Sequence, residues 1–251
     1  MPPSSPPPSP GNQVPPTQRL AYEGILFDLD DTLIDFKASE SSALALVYEN
    51  FYRTFAQVDA FHSRFHTINQ SLWKAVESTQ LPVGQLRLKR FQILSEALGV
   101  PLDAEPVAAF YEHQLGMTAR WLPGTAEALS LLGRQFKLGV VTNGLTRIQK
   151  AKYQHLALGN WFKSFVISEE VALSKPQKEI FHLALTELAT APARTLMVGD
   201  SLTSDYVGSL NAGMDFCWIN ARGLPLPAHL PEPRFTLQSV AELPALLTGA
   251  C

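Results

Sequence analysis

Between Gly24 and Leu33 the chain reads GILFDLDDTL, an apolar run that ends in three carboxylates, Asp28, Asp30 and Asp31. That much negative charge at the end of a buried strand is costly unless a cation or a shifted pKa compensates it. An Asp after a strand also caps helices and fills turns, so the cluster alone leaves both roles open. Other apolar runs end in groups of matching chemistry. Val140-Val141 is followed by Thr142-Asn143-Gly144, and Val198 by Gly199-Asp200-Ser201 with a further acid at Asp205. Between them, the stretch from Ser168 to Pro176 carries Lys175 directly before a proline. Carboxylate oxygens suit a hard Mg²⁺ ion, which keeps waters and a substrate phosphate as its other ligands. A threonine and a lysine alongside suit phosphate oxygens. One carboxylate aimed at phosphorus can act as nucleophile while a second carries the proton.

Such chemistry needs several strand ends side by side. Short apolar runs at 24–27, 138–141, 164–167, 195–198 and 216–219, bounded by Gly, Asp, Asn or Ser, predict buried parallel strands. Helical patterns lie between the later ones; from Gln177 to Ala189, for example, Ile180, Phe181, Ala184, Leu185 and Leu188 share a face. The alternation predicts an α/β fold, a doubly wound Rossmann-like parallel sheet. Ligands of such sheets sit at the carboxyl ends of the strands, where the polar groups above fall.

From Phe36 to Thr118 that rhythm stops. Ala43, Val47, Phe51 and Phe55 recur every four residues, Phe61, Phe65 and Asn69 follow less regularly, and Leu86 to Leu98 continue until Gly99 and Pro101. This predicts a helical cap domain at 36–118, inserted after the first strand into a catalytic core formed by 20–35 and 119–251. Residues 1–19 hold eight of the nineteen prolines by position 16 and predict a disordered, solvated tail.

Composition narrows the classes. The 251 residues are 46% hydrophobic and 17% charged, with a net charge of −3, which suits a folded core and not a coat for nucleic acid or anionic membrane. The two cysteines, Cys217 and Cys251, exclude a disulfide framework. With no transmembrane run and no secretory leader in the first residues, a cytoplasmic protein is expected.

The ordered set DLDDT, VVTNG, Lys175-Pro176 and GDSLTSD resembles the four motifs of the haloacid dehalogenase-like superfamily of phosphohydrolases over residues 24 to about 220, helical cap insert included. The resemblance implies Asp28 as the nucleophile that becomes an aspartyl-phosphate and Asp30 as the general acid/base, with Thr32 supporting the turn. It implies Thr142, with the backbone of Asn143 and Gly144, as the phosphate holder beside Asp28, and Lys175 as the neutralising cation. Mg²⁺ would be held by Asp28, the backbone carbonyl of Asp30, and Asp200, with Asp205 behind them on a metal-bound water or on Lys175. An acid at Asp30 implies phosphate monoester or phosphomutase chemistry, since the superfamily's dehalogenases, phosphonatases and transport ATPases lack one there. Leu72-Trp73-Lys74, Glu77, Leu86 and Arg90-Phe91, with the stretches Leu196 to Asp205 and Asn211 to Asn220, are similar to the pyrimidine 5′-nucleotidase subgroup. Arg90 and Trp73 would then choose the substrate.

Other features read more plainly. His62 and His66 share a helix face but lack the acid of a zinc motif, so packing or surface roles are expected. Arg87 and Lys89 read as a solvated basic face beside Arg90. Trp121, Trp161, Trp218 and Cys217 read as core. The expected partner is a small phosphate monoester: a nucleoside 5′-monophosphate, or alternatively a sugar or other metabolite phosphate. A phosphomutase, or a silent binding protein on this fold, is the further alternative. Oligomeric state is not legible.

Overall fold

The computed structural model describes residues 22–248 except Thr79, and the predicted tail lies outside that span. Strand β1 (Gly24–Phe27) is buried at every residue, as a central parallel strand covered on both faces must be. It pairs in parallel with β2 (Lys137–Thr142) on one side and β4 (Thr195–Gly199) on the other. With β3 (Phe162–Ile167), β5 (Asp215–Ile219) and β6 (Phe235–Leu237) the sheet runs β3-β2-β1-β4-β5-β6, parallel throughout. In register Phe27 stands beside Val140 and Val198, so Asp28, the residues after Val141 and those after Val198 emerge at one edge. The order reverses at β1, the topological switch point where doubly wound sheets open a crevice.

Helices α1 (Phe36–Val47), α2 (Val58–Glu77), α3 (Val83–Leu98) and α4 (Ala104–Met117) form the cap. Their core holds Tyr52, Phe61, Phe65, Phe91 and Tyr111, with ring centroids 4.9 to 6.5 Å apart along the cluster. The two chain crossings between cap and sheet lie side by side. Asp35 N donates to Arg120 O (3.0 Å), Leu122 N to Leu33 O (2.9 Å), and Ser39 Oγ to Thr118 O (2.9 Å). Helices α5 (Thr125–Leu132), α6 (Thr146–His155), α7 (Ser168–Val171), α8 (Lys178–Leu188), α9 (Val207–Asn211) and α10 (Leu243–Thr248) complete the layers.

The predicted strands and the α8 face stand where expected, and α3 ends at Gly99 in the left-handed region (φ 67°). Two differences are physical. The four-residue spacing does not run on to Phe55, because the helix closes in a π-helical turn at Tyr48–Tyr52, marked by Arg53 N donating to Tyr48 O, and the chain then passes into a turn over Arg53–Phe55. Phe55 is consequently 54% exposed. The edge strand β6 is three residues long and only partly buried, so no apolar run announced it.

Phe65→Ala is therefore expected to cost about 3–5 kcal/mol in urea unfolding, whereas Phe55→Ala stays within about 0.5 kcal/mol of the parent chain. Comparable losses at both positions would mean that the periodicity, and not the π turn, describes this helix.

Candidate active site

Four segments deliver side chains to one cleft. Asp28 follows β1, Thr142 ends β2, Lys175 lies after α7 before a cis Pro176, and Asp200 follows β4. Lys175 is 1% exposed, and its Nζ donates to Asp28 Oδ1 at 2.5 Å and to Asp205 Oδ1 at 2.7 Å. Asp205 reaches this position through a second π-helical turn, Leu202–Tyr206, in which Tyr206 N donates to Ser201 O. Gly199 is the residue that admits it. A Cβ there would lie 2.3 Å from Asp205 Oδ2, so any side chain would expel the carboxylate. Ser201 N donates to that same oxygen at 3.1 Å.

One lysine faces more acid than it can balance. Oxygen atoms of Asp28, Asp200 and Asp205 lie within 4.8 Å of one another. Burial first, then the neighbouring Asp205 and Asp30 carboxylates, pushes Asp28 up to about 7 against the pull of Lys175. Burial, then Asp28, Asp205 and Asp31, pushes Asp200 up to about 8. Burial alone would lower Lys175, but Asp205 and Asp28 outweigh it and hold the ammonium above its ordinary value. An all-oxygen set with surplus negative charge fits a hard divalent cation such as Mg²⁺.

The remaining expected residues are placed as follows. Thr142 is buried behind the cavity, where its Oγ1 accepts from Gln149 Nε2 at 3.0 Å, and Thr32 is buried with a hydroxyl that makes no hydrogen bond. The Asn143 side chain clasps the Lys175 backbone, donating to its carbonyl (3.0 Å) and accepting from its amide (2.8 Å). The amide of Gly144 donates to Ser168 Oγ at 3.0 Å. Asp30 turns its carboxylate away from the acidic cluster towards Lys152 Nζ, at 2.6 and 2.9 Å, and Gln149 Nε2, at 3.0 Å. Sequence reasoning missed these two residues. The sequence placed two polar side chains three apart on the helix that directly follows the Thr142 strand end, a pattern that reads equally as a solvated face.

Cap residues Trp73 and Arg90 line the same cavity of about 200 Å³ as Asp28, Lys175 and Asp200. Arg90 is buried, donates to Leu86 O at 3.3 Å and lies 5.3 Å from the Tyr111 ring centroid. Tyr111 and Asn69 both donate to Glu40 Oε1, at 2.9 and 3.2 Å. The expected basic face does not exist as one surface. Arg87 pairs with Glu105 and Glu112, Arg90 points inward, and Lys89 alone is exposed. His62 and His66 join no metal-capable cluster among the described residues, and His66 bonds Gln70. Trp121 and Trp161 meet edge to face and are partly buried, while Trp218 and Cys217 lie in the core.

The family model for haloacid dehalogenase-like hydrolases matches residues 22–213. The chain belongs to that family. It is 31% identical to the pyrimidine 5′-nucleotidase YjjG of Escherichia coli, covering 91% of this chain and 99% of that one. It is 33% identical to the pyrimidine 5′-nucleotidase PynA of Streptococcus pneumoniae, covering 89% and 94%. The magnesium-bound crystal structure of the HAD-hydrolase YfnB from Bacillus subtilis superposes with a TM-score of 0.80 at 31% identity, over 90% of this chain and 98% of that one. The chain is thus an enzyme of the haloacid dehalogenase-like kind, a phosphatase. Among its described residues no helix is long and apolar enough to cross a membrane.

The raised carboxyls give a pH prediction. Asp28 and Asp200 titrate higher in the folded state than their ordinary 3.8, so their contribution to stability is complete below that value and is lost as pH rises through about 7 and about 8. In EDTA, Asp200→Asn is expected to be more stable than the parent near pH 8 by at least about 1 kcal/mol and to lose that advantage below about pH 4. Urea unfolding at the two pH values checks it; an equal offset at both would trace the effect to packing.

Proposed function

We propose that this enzyme hydrolyses nucleoside 5′-monophosphates, with preference for a pyrimidine base, through a phosphoryl group carried on Asp28. The observation that supports this most is a single cavity in which the Asp28–Lys175 floor faces Trp73 and Arg90 of the cap. A phosphate on the floor leaves the rest of a nucleotide against Trp73, Leu115 and Ile148, which offer apolar area, and Arg90, which offers donors to base carbonyl oxygens. The pyrimidine 5′-nucleotidase relatives point the same way.

Asp28 attacks phosphorus, and the bond from phosphorus to the ester oxygen breaks. Asp30, which enters this step protonated, gives its proton to that leaving oxygen and becomes the carboxylate that accepts from Lys152 and Gln149. Asp30 then takes a proton from a water whose oxygen attacks phosphorus, the bond to Asp28 breaks, and inorganic phosphate leaves. Thr142 and Lys175 hold the phosphate oxygens, and Asp205 keeps Lys175 in place. Asp28, Asp200 and the Asp30 carbonyl would hold Mg²⁺, which neutralises phosphate charge when bound.

The test is phosphate release from nucleoside monophosphates and hexose phosphates, with Mg²⁺ and with EDTA. Pyrimidine nucleotides are expected to lead in kcat/KM and EDTA to abolish turnover. Hexose phosphates as the better substrates would replace the nucleotide assignment, and an isomerised phosphate ester without release would indicate a mutase. Arg90→Met is expected to lower kcat/KM for the nucleotide by about 10–100-fold, the worth of a charged hydrogen bond, and to spare an aryl phosphate. Asp28→Asn is expected to abolish both turnover and the acid-stable phosphoprotein trapped by rapid quench, because an amide is a poor nucleophile.

A further inference from the structure

Lys152 is a buried cation that the fold does not require. It sits on α6, whose Ile148, with Leu145 just before the helix, already supplies the apolar contact with the cap cluster. Its side chain is 1% exposed, its Nζ lies 5.1 Å from the Phe36 ring centroid, and both Asp30 carboxylate oxygens accept from it, at 2.6 and 2.9 Å. An apolar side chain of similar size would fill such a position at lower desolvation cost, so the ammonium is there for Asp30.

Gln149, one turn earlier and also buried, donates from Nε2 to Asp30 Oδ2 and to Thr142 Oγ1, both at 3.0 Å. A carboxylate only accepts, so the amide must turn its NH₂ this way. A threonine oxygen that accepts from Gln149 keeps its own proton for another acceptor, and a phosphate oxygen is the one the proposed reaction brings. Gly144 makes the reach possible, since a Cβ there would fall 2.4 Å from Gln149 Nε2.

We propose that Lys152 and Gln149 are positioning residues: Lys152 fixes the Asp30 carboxyl for proton transfer, and Gln149 couples it to the phosphate-holding hydroxyl of Thr142. This rests on the phosphatase mechanism above. The test compares kcat/KM for a nucleoside 5′-monophosphate, whose leaving alkoxide needs a proton, with kcat/KM for 4-nitrophenyl phosphate, whose leaving group needs none.

Lys152→Met is expected to lower the nucleotide value by about 10²–10³-fold and the aryl value by less than about fivefold. In an Asp30→Asn background the same substitution is expected to add no further loss, because it acts through Asp30. Gln149→Leu carries a separate signature: weaker inhibition by inorganic phosphate, which Lys152→Met leaves unchanged. Should Lys152→Met fail to fold, Gln149→Leu tests the coupling alone. Equal losses on the two esters, or a full additional loss in the Asp30→Asn background, would overturn the positioning role and leave the phosphatase mechanism standing. A parent chain that releases phosphate from neither ester would overturn both.

Discussion

The Lys175 ammonium lies between the carboxylates of Asp28 and Asp205, all three out of solvent, and this contact joins three separate parts of the chain. Each partner alone would be a buried charge of high cost, and each element must therefore be in register for the others to be tolerable. The sheet order answers that demand. β1 and β4 are hydrogen-bonded neighbours, so Asp28 and the turn that carries Asp205 leave the same edge, and Asp28 N donates to Val198 O at 2.9 Å. The balance remains negative because Asp200 adds a third carboxylate; burial first, and then the neighbouring carboxylates, holds Asp28 and Asp200 well above their ordinary values.

What was legible in the sequence follows from how strongly burial marks it. GILF, LGVV and LMVG are apolar at every position because both faces of a central parallel strand are covered, and their polar ends stood out for that reason. Motif order then gathers Asp28, Asp30, Thr142, Lys175 and Asp200 into one set. The two π turns were not legible. Insertion of one residue into a helical turn leaves no compositional trace, yet one closes the helix before Phe55 and the other aims Asp205 inward. Nor were Gln149 and Lys152 legible, since on a polar helix they look like a solvated face until the partner across the cleft is known.

The cap works by the same economy as the floor. Glu40, Tyr111 and Arg90 form a buried polar group at the inner side of an otherwise aromatic cluster, and burial presses the carboxyl of Glu40 up while Tyr111 and Arg90 counter it. A polar group in a helical core is expensive unless fully partnered. Arg90 is the member that also lines the cavity, so its environment inside the cap sets the direction in which its guanidinium can face a substrate.

Helix α6 is where the two halves become one machine. Leu145, just before the helix, and Ile148 belong to the cap's apolar cluster, while Gln149 and Lys152 on the helix meet Thr142 and Asp30 of the sheet domain. Residues three and four apart on a helix are neighbours, so a change in how the cap rests on Leu145 and Ile148 is felt four residues on, at Gln149 and Lys152, the groups that touch Asp30. Phe36 strengthens the link from the other side: it opens the first cap helix and also covers Lys152. Cap and Asp30 are therefore held by one continuous set of contacts, and in the proposed mechanism this ties the geometry of proton transfer to α6.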